Sequence, residues 1–88
     1  MIRMDTKEIY KKTIEKWGKT AQVLMAIEEM SELTKELLKD LRGKSCSIQE
    51  EIVDVEIMLE QLKEIFGTEY IDIFRKSKLQ RLEAMLDG

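Results

Sequence analysis

The chain has 88 residues, 38% of them charged, a formal net charge of −3, no histidine, no proline and a single cysteine, Cys46. That size sets one domain over residues 1–88 as the expectation, burying about 60% of its unfolded surface if it stood alone. The composition excludes a disulfide framework, a run of about 18 apolar residues that would span a membrane, and the basic character of a nucleic-acid binder.

Missing histidine also removes the commonest general base and the usual zinc ligand. The opening MIRMDTKEIY has no apolar core of a signal peptide, and a lone thiol fits a reducing compartment, so a cytoplasmic protein is expected.

Glycines at 18, 43 and 67 divide the chain into four segments with helical periodicity. The first helix is predicted over Thr6 to Trp17, with Asp5 as its cap and Glu8 at the capping-box position. The second is predicted over Lys19 to Leu41, where Val23, Ile27, Met30, Leu33, Leu37 and Leu41 recur at steps of three and four. Ser47-Ile-Gln-Glu50 reads as a second capping box opening a third helix that ends near Phe66.

The middle of that helix, Ile52 to Leu59, is apolar nearly all round, which calls for burial on several sides and hence a partner subunit. A fourth helix is predicted from about Glu69 to Leu86. The fold expected is all-α: a four-helix chain with a central antiparallel helix hairpin, its bundle completed by oligomerisation.

Two acidic pairs lie in the most apolar stretches. Glu29 and Glu32 fall where Thr20 to Thr34 holds no Lys or Arg, and Glu51 and Asp54 fall where Ser45 to Leu62 holds none. On a helix, residues three apart share a face, so each pair presents two carboxylates together. Packing of the second helix on the third, with axes about 8–10 Å apart, would let four carboxylates converge. Such a cluster needs a cation, and oxygen donors suit Mg²⁺ or Mn²⁺. A metal of this kind points to phosphate chemistry, for which histidine is not required.

The fourth segment adds Arg75, Lys76, Lys78 and Arg81. Lys78 and Arg81 share a face and can hold phosphate, Arg bidentately and Lys as a point charge. Gln22 shares a face with Glu29 and can read a base edge, and Trp17 can stack on a base. The competing reading is a non-catalytic helical oligomerisation or regulatory module whose acids are merely solvated and paired with Lys.

Taken together, Gln22-Val-Leu-Met-Ala-Ile-Glu28-Glu29-Met-Ser-Glu32-Leu33, then Glu50-Glu51-Ile-Val-Asp54-Val55, then Lys78-Leu-Gln-Arg81-Leu82 resembles the MazG-like nucleotide pyrophosphohydrolases of the all-α NTP pyrophosphatase superfamily. The shared signature is E-x-x-E, a gap, then E-x-x-D. Here the gap from Leu33 to Glu50 is 18 residues, and the likeness spans roughly Trp17 to Leu82.

The resemblance implies Mg²⁺-dependent cleavage of a nucleoside triphosphate to monophosphate and pyrophosphate. It implies Glu29, Glu32, Glu51 and Asp54 as metal ligands, Glu28 as the carboxylate that helps deprotonate water, and Lys78 and Arg81 as stabilisers of phosphate charge. It further implies a homodimer or homotetramer, with sites that a neighbouring subunit helps to complete.

Overall fold

The computed structural model describes residues 1–87 and is all-helical, with no strand among the described residues. Its helices are α1 (Thr6–Trp17), α2 (Lys19–Leu41), α3 (Ile48–Phe66) and α4 (Ile71–Asp87). The first two match the predicted bounds, while α4 begins two residues later than expected. A turn in which Ile71 N–H donates to the Thr68 carbonyl at 3.1 Å precedes it.

Local chemistry sets the ends. The Asp5 carboxylate accepts from Glu8 N–H at 2.9 Å and caps α1, whereas the Glu8 carboxylate turns to Lys12 at 3.2 Å rather than completing a reciprocal box. Gly18 alone separates α1 from α2, at φ 89° and ψ 155°, and Gly67 ends α3 at φ 92° and ψ 168°. That backbone region is open essentially to glycine alone, so both joints depend on the missing Cβ.

The capping box expected at Ser47 does not form: its side chain makes no cap hydrogen bond. Its backbone N–H instead donates to Glu36 Oε2 of α2 at 3.4 Å, so an acid from the neighbouring helix meets the start of α3.

Helices α1, α2 and α3 pack on one another, with the closest association between α2 and α3. Glu36 lies by Ser47, Glu29 by Glu51 and Asp54, and Gln22 shares a cavity wall with Met58 and Gln61. The seam positions on α2 are Gln22, Ala26, Glu29, Leu33 and Glu36; those on α3 are Glu51, Asp54, Met58, Gln61 and Ile65. Steps alternate between three and four on both helices, the spacing of a coiled-coil seam.

Of the apolar stripe of α2, Leu33 alone is a seam position. Ile27, Leu37 and Leu41 are 52%, 45% and 81% exposed, whereas Gln22 and Ala26 are buried. On α3, Ile52, Val53, Ile57 and Leu59 are likewise exposed, so burial on several sides is not reached within one chain.

No Cα of α4 comes within 8 Å of a Cα in another helix. The radius of gyration is accordingly 16.2 Å, against about 12 Å for a compact domain of this length. No helix among the described residues is long and apolar enough to cross a membrane.

Candidate metal centre

The α2–α3 seam brings Glu29, Glu51 and Asp54 together, one carboxylate oxygen of each lying within 4.8 Å of the others. All three are half-buried. Glu51 Oε2 is buried and has no hydrogen-bond partner.

Each ion pair among the described residues joins residues three or four apart within one helix: Lys12–Glu8, Lys35–Glu32, Lys39–Glu36, Lys63–Glu60 and Arg75–Asp72. No Lys or Arg therefore neutralises the cluster. Its electrostatics show the consequence. Glu29 is raised above the ordinary 4.5, first by burial and then by Asp54, Glu28 and Glu32. Glu51 is raised for the same reasons, by burial first and then by Asp54, Glu29, Glu32 and Glu50.

This donor set fits a divalent ion. Three carboxylates from two helices supply the hard oxygen ligands that Mg²⁺ and Mn²⁺ prefer, and the buried Glu51 Oε2 is an acceptor for which the protein provides no donor.

Glu32 stands apart from the three. It is exposed, and its carboxylate lies 3.8 Å from Lys35 Nζ. The seam explains this. From Glu29 the seam advances four residues to Leu33, and a step of three falls about 60° short of a full turn, which puts Glu32 on the flank. On α3 the seam itself steps by three from Glu51 to Asp54, so that pair stays together. Glu32 remains close enough to raise both Glu29 and Glu51. Glu28, beside Glu29, is exposed.

Next to the carboxylates is a cavity of about 370 Å³ whose walls include Trp17, Gln22, Glu29, Asp54, Met58 and Gln61. The two residues proposed from sequence for a base, Gln22 and Trp17, thus share one cavity with two of the acids. Gln22 is 6% exposed and Trp17 57%, the latter with Lys16 Nζ 4.8 Å from its ring centroid.

Sequence reasoning missed Gln61, which is 4% exposed and whose Oε1 is buried without a partner. The signal available was its register: it lies seven residues after Asp54, in the same seam. A larger concavity of about 710 Å³, lined by Tyr10, Ile57, Leu59, Phe66 and Arg75 among others, contains none of the three clustered acids.

The structure does not bring Lys78 and Arg81 to this cluster. They line a shallow hollow on α4 with Leu82 and Met85. Comparison with family models, with curated proteins and with solved structures returns no match in any of the three.

Proposed function

We propose that this chain is a Mg²⁺-dependent nucleoside triphosphate pyrophosphohydrolase of the MazG-like kind. The observation that carries the reading is the convergence of Glu29, Glu51 and Asp54 without a basic residue to balance them. The adjoining cavity, walled by Trp17 and Gln22, supports a nucleotide as the substrate.

In this reading α2 and α3 form an antiparallel hairpin. The pairings of Glu36 with Ser47, Glu29 with Glu51 and Asp54, and Gln22 with Gln61 run in opposite directions along the two helices and support it. Glu29, Glu51 and Asp54 hold the ion, with Glu32 on the flank able to join after release from Lys35. When bound, Mg²⁺ offsets the charge of the phosphates and acidifies water.

Glu28, exposed beside the cluster, accepts a proton from the attacking water at its carboxylate. The water oxygen bonds to phosphorus of the α–β anhydride and that anhydride bond breaks. Nucleoside monophosphate and pyrophosphate leave.

Lys78 and Arg81 are supplied by α4 of a second copy of the chain. Two features support the second copy. The α4 side chains Phe74, Leu79, Leu82 and Leu86 are 60%, 57%, 51% and 80% exposed, and the apolar faces of α2 and α3 are uncovered. Most of the stability of a helix in a protein comes from packing of its apolar face, which α4 lacks within one chain.

The test is pyrophosphate release from a panel of ribo- and deoxynucleoside triphosphates, with Mg²⁺ or with chelator. Wild type is expected to release pyrophosphate only with the metal. Asp54→Asn is expected to lose more than the roughly 10–100-fold that removal of a ligand's hydrogen-bond partner typically costs. Silence across the panel from a folded wild-type protein would return the chain to the non-catalytic module.

A further inference from the structure

Gln61 is nine-tenths buried and more, yet its Oε1 has no hydrogen-bond partner in the protein. A buried carbonyl without a donor destabilises the chain that keeps it, and native structures pair nearly all such atoms. Gln61 also lines the cavity beside the carboxylates. A half-turn of the terminal amide torsion exchanges its oxygen and nitrogen, so the same side chain offers an acceptor and a donor side by side.

The rest of the cavity says what kind of group belongs there. Its walls include Thr13, Ala21, Met25, Ile57 and Met58 but no Lys or Arg, so away from its two acids it suits a neutral, largely apolar group rather than a phosphate. Those acids are Glu29 and Asp54. Seven residues of α3 separate Asp54 from Gln61, about 10 Å along the helix, which leaves room for a sugar between a phosphate and a base. Trp17 supplies an aromatic face at the wall, and Gln22 a second buried carboxamide.

We propose that Gln61, assisted by Gln22, reads the base of the nucleotide, its carboxamide pairing with a nucleobase edge that sets a hydrogen-bond donor beside an acceptor. The proposal rests on the pyrophosphohydrolase reading for the orientation of the ligand. The ligand class is a nucleoside phosphate whose pairing edge is unblocked; methylation of the ring N–H, or double methylation of the amino group, on that edge removes the donor Gln61 needs. Trp17 lies against the ring, and Glu29 and Asp54 face the phosphate end.

Trp17 is the single tryptophan, so its emission reports the cavity directly. The experiment titrates the full chain with the nucleoside monophosphates of the common bases, in Mg²⁺, and follows tryptophan fluorescence. Wild type is expected to show saturable quenching with at least one of them. Gln61→Leu is expected to weaken that titration about tenfold or more. The base-methylated form of the same nucleotide is expected to bind wild type no better than the unmodified form binds Gln61→Leu.

A thermal melt accompanies each variant. Gln61→Leu removes the unpaired carbonyl and is expected to melt no lower than wild type, so weaker binding is not unfolding. Gln22→Leu gives a second, independent reading of the same wall.

The failures are separable. Hydrolysis by wild type with unchanged affinity and base preference in Gln61→Leu overturns the base assignment and leaves the hydrolase standing. Quenching that depends on Gln61 without any hydrolysis supports the base pocket and removes the hydrolase. Absence of quenching with every nucleotide overturns the assignment outright.

Discussion

The seam between α2 and α3 and the helix α4 distribute polar and apolar residues in opposite ways. Where the seam makes its contacts, its register carries Gln22, Glu29, Glu51, Asp54 and Gln61, with Ala26 and Met58 as its buried apolar members. Helix α4 carries Ile73, Phe74, Leu79, Leu82 and Leu86, all exposed, and none of its Cα atoms comes within 8 Å of a Cα in another helix. A seam selected only to hold two helices together would be lined by Leu and Ile. This one gives inner positions to acids and amides, and Glu51 Oε2 and Gln61 Oε1 are buried there without partners. Helix α4 shows the reverse, large apolar side chains that are exposed within one chain.

The comparison breaks most visibly at α4. Leu79→Asp combined with Leu82→Asp is expected to abolish the proposed assembly and, with it, the helicity of α4, while leaving the seam folded. Light scattering coupled to gel filtration, with far-ultraviolet circular dichroism, reads both effects. An unchanged mass would show that α4 is not what joins the copies.

Inside the seam the effect is smaller and of another kind. Ala26 is 1% exposed, one turn from both Gln22 and Glu29. Ala26→Leu has no space to enter and is expected to cost about 1–3 kcal/mol in denaturant unfolding. No change in the unfolding midpoint would mean that the helices are not held at this distance.

The smallest expected effect is electrostatic. Glu29 and Glu51 titrate above the ordinary 4.5 in the folded chain, so over a window opening upward from 4.5 the folded chain binds more protons than the unfolded one. Stability from these groups is therefore lost as pH rises through that window and regained as pH falls back towards 4.5. In chelator, the melting temperature of wild type is expected to decline from about pH 5 to pH 7 more steeply than that of Glu51→Gln. Equal slopes would contradict the repulsion assigned to the cluster.

Much of this was legible in the residues. Glycine joints and the Asp5 cap define α1 and α2, and the two acidic pairs in segments poor in Lys and Arg point to Glu29, Glu51 and Asp54. What was not legible follows from packing phase. Periodicity marks Val23, Ile27 and Leu37 as an apolar stripe but does not say which neighbour covers it, and within one chain Ile27 and Leu37 stay exposed while Val23 is half-buried. The same phase sets Glu32 to the flank although its spacing from Glu29 equals that of Asp54 from Glu51. Ser47 makes no side-chain cap, and its backbone N–H, which would donate to Glu50 in a capping box, donates instead to Glu36, an acid eleven residues away that only tertiary packing brings near. Gln61 carries no motif, and its importance appears only once its oxygen is seen to be buried and unpaired.

The measurement that tests the account most directly is calorimetric titration of the metal-free protein with Mn²⁺, wild type beside Asp54→Asn and Glu51→Gln. The account predicts saturable binding to wild type and its loss in both variants, with all three proteins folded. Binding that survives both substitutions, or no binding to folded wild type, would contradict the assignment of Glu29, Glu51 and Asp54 as a metal centre.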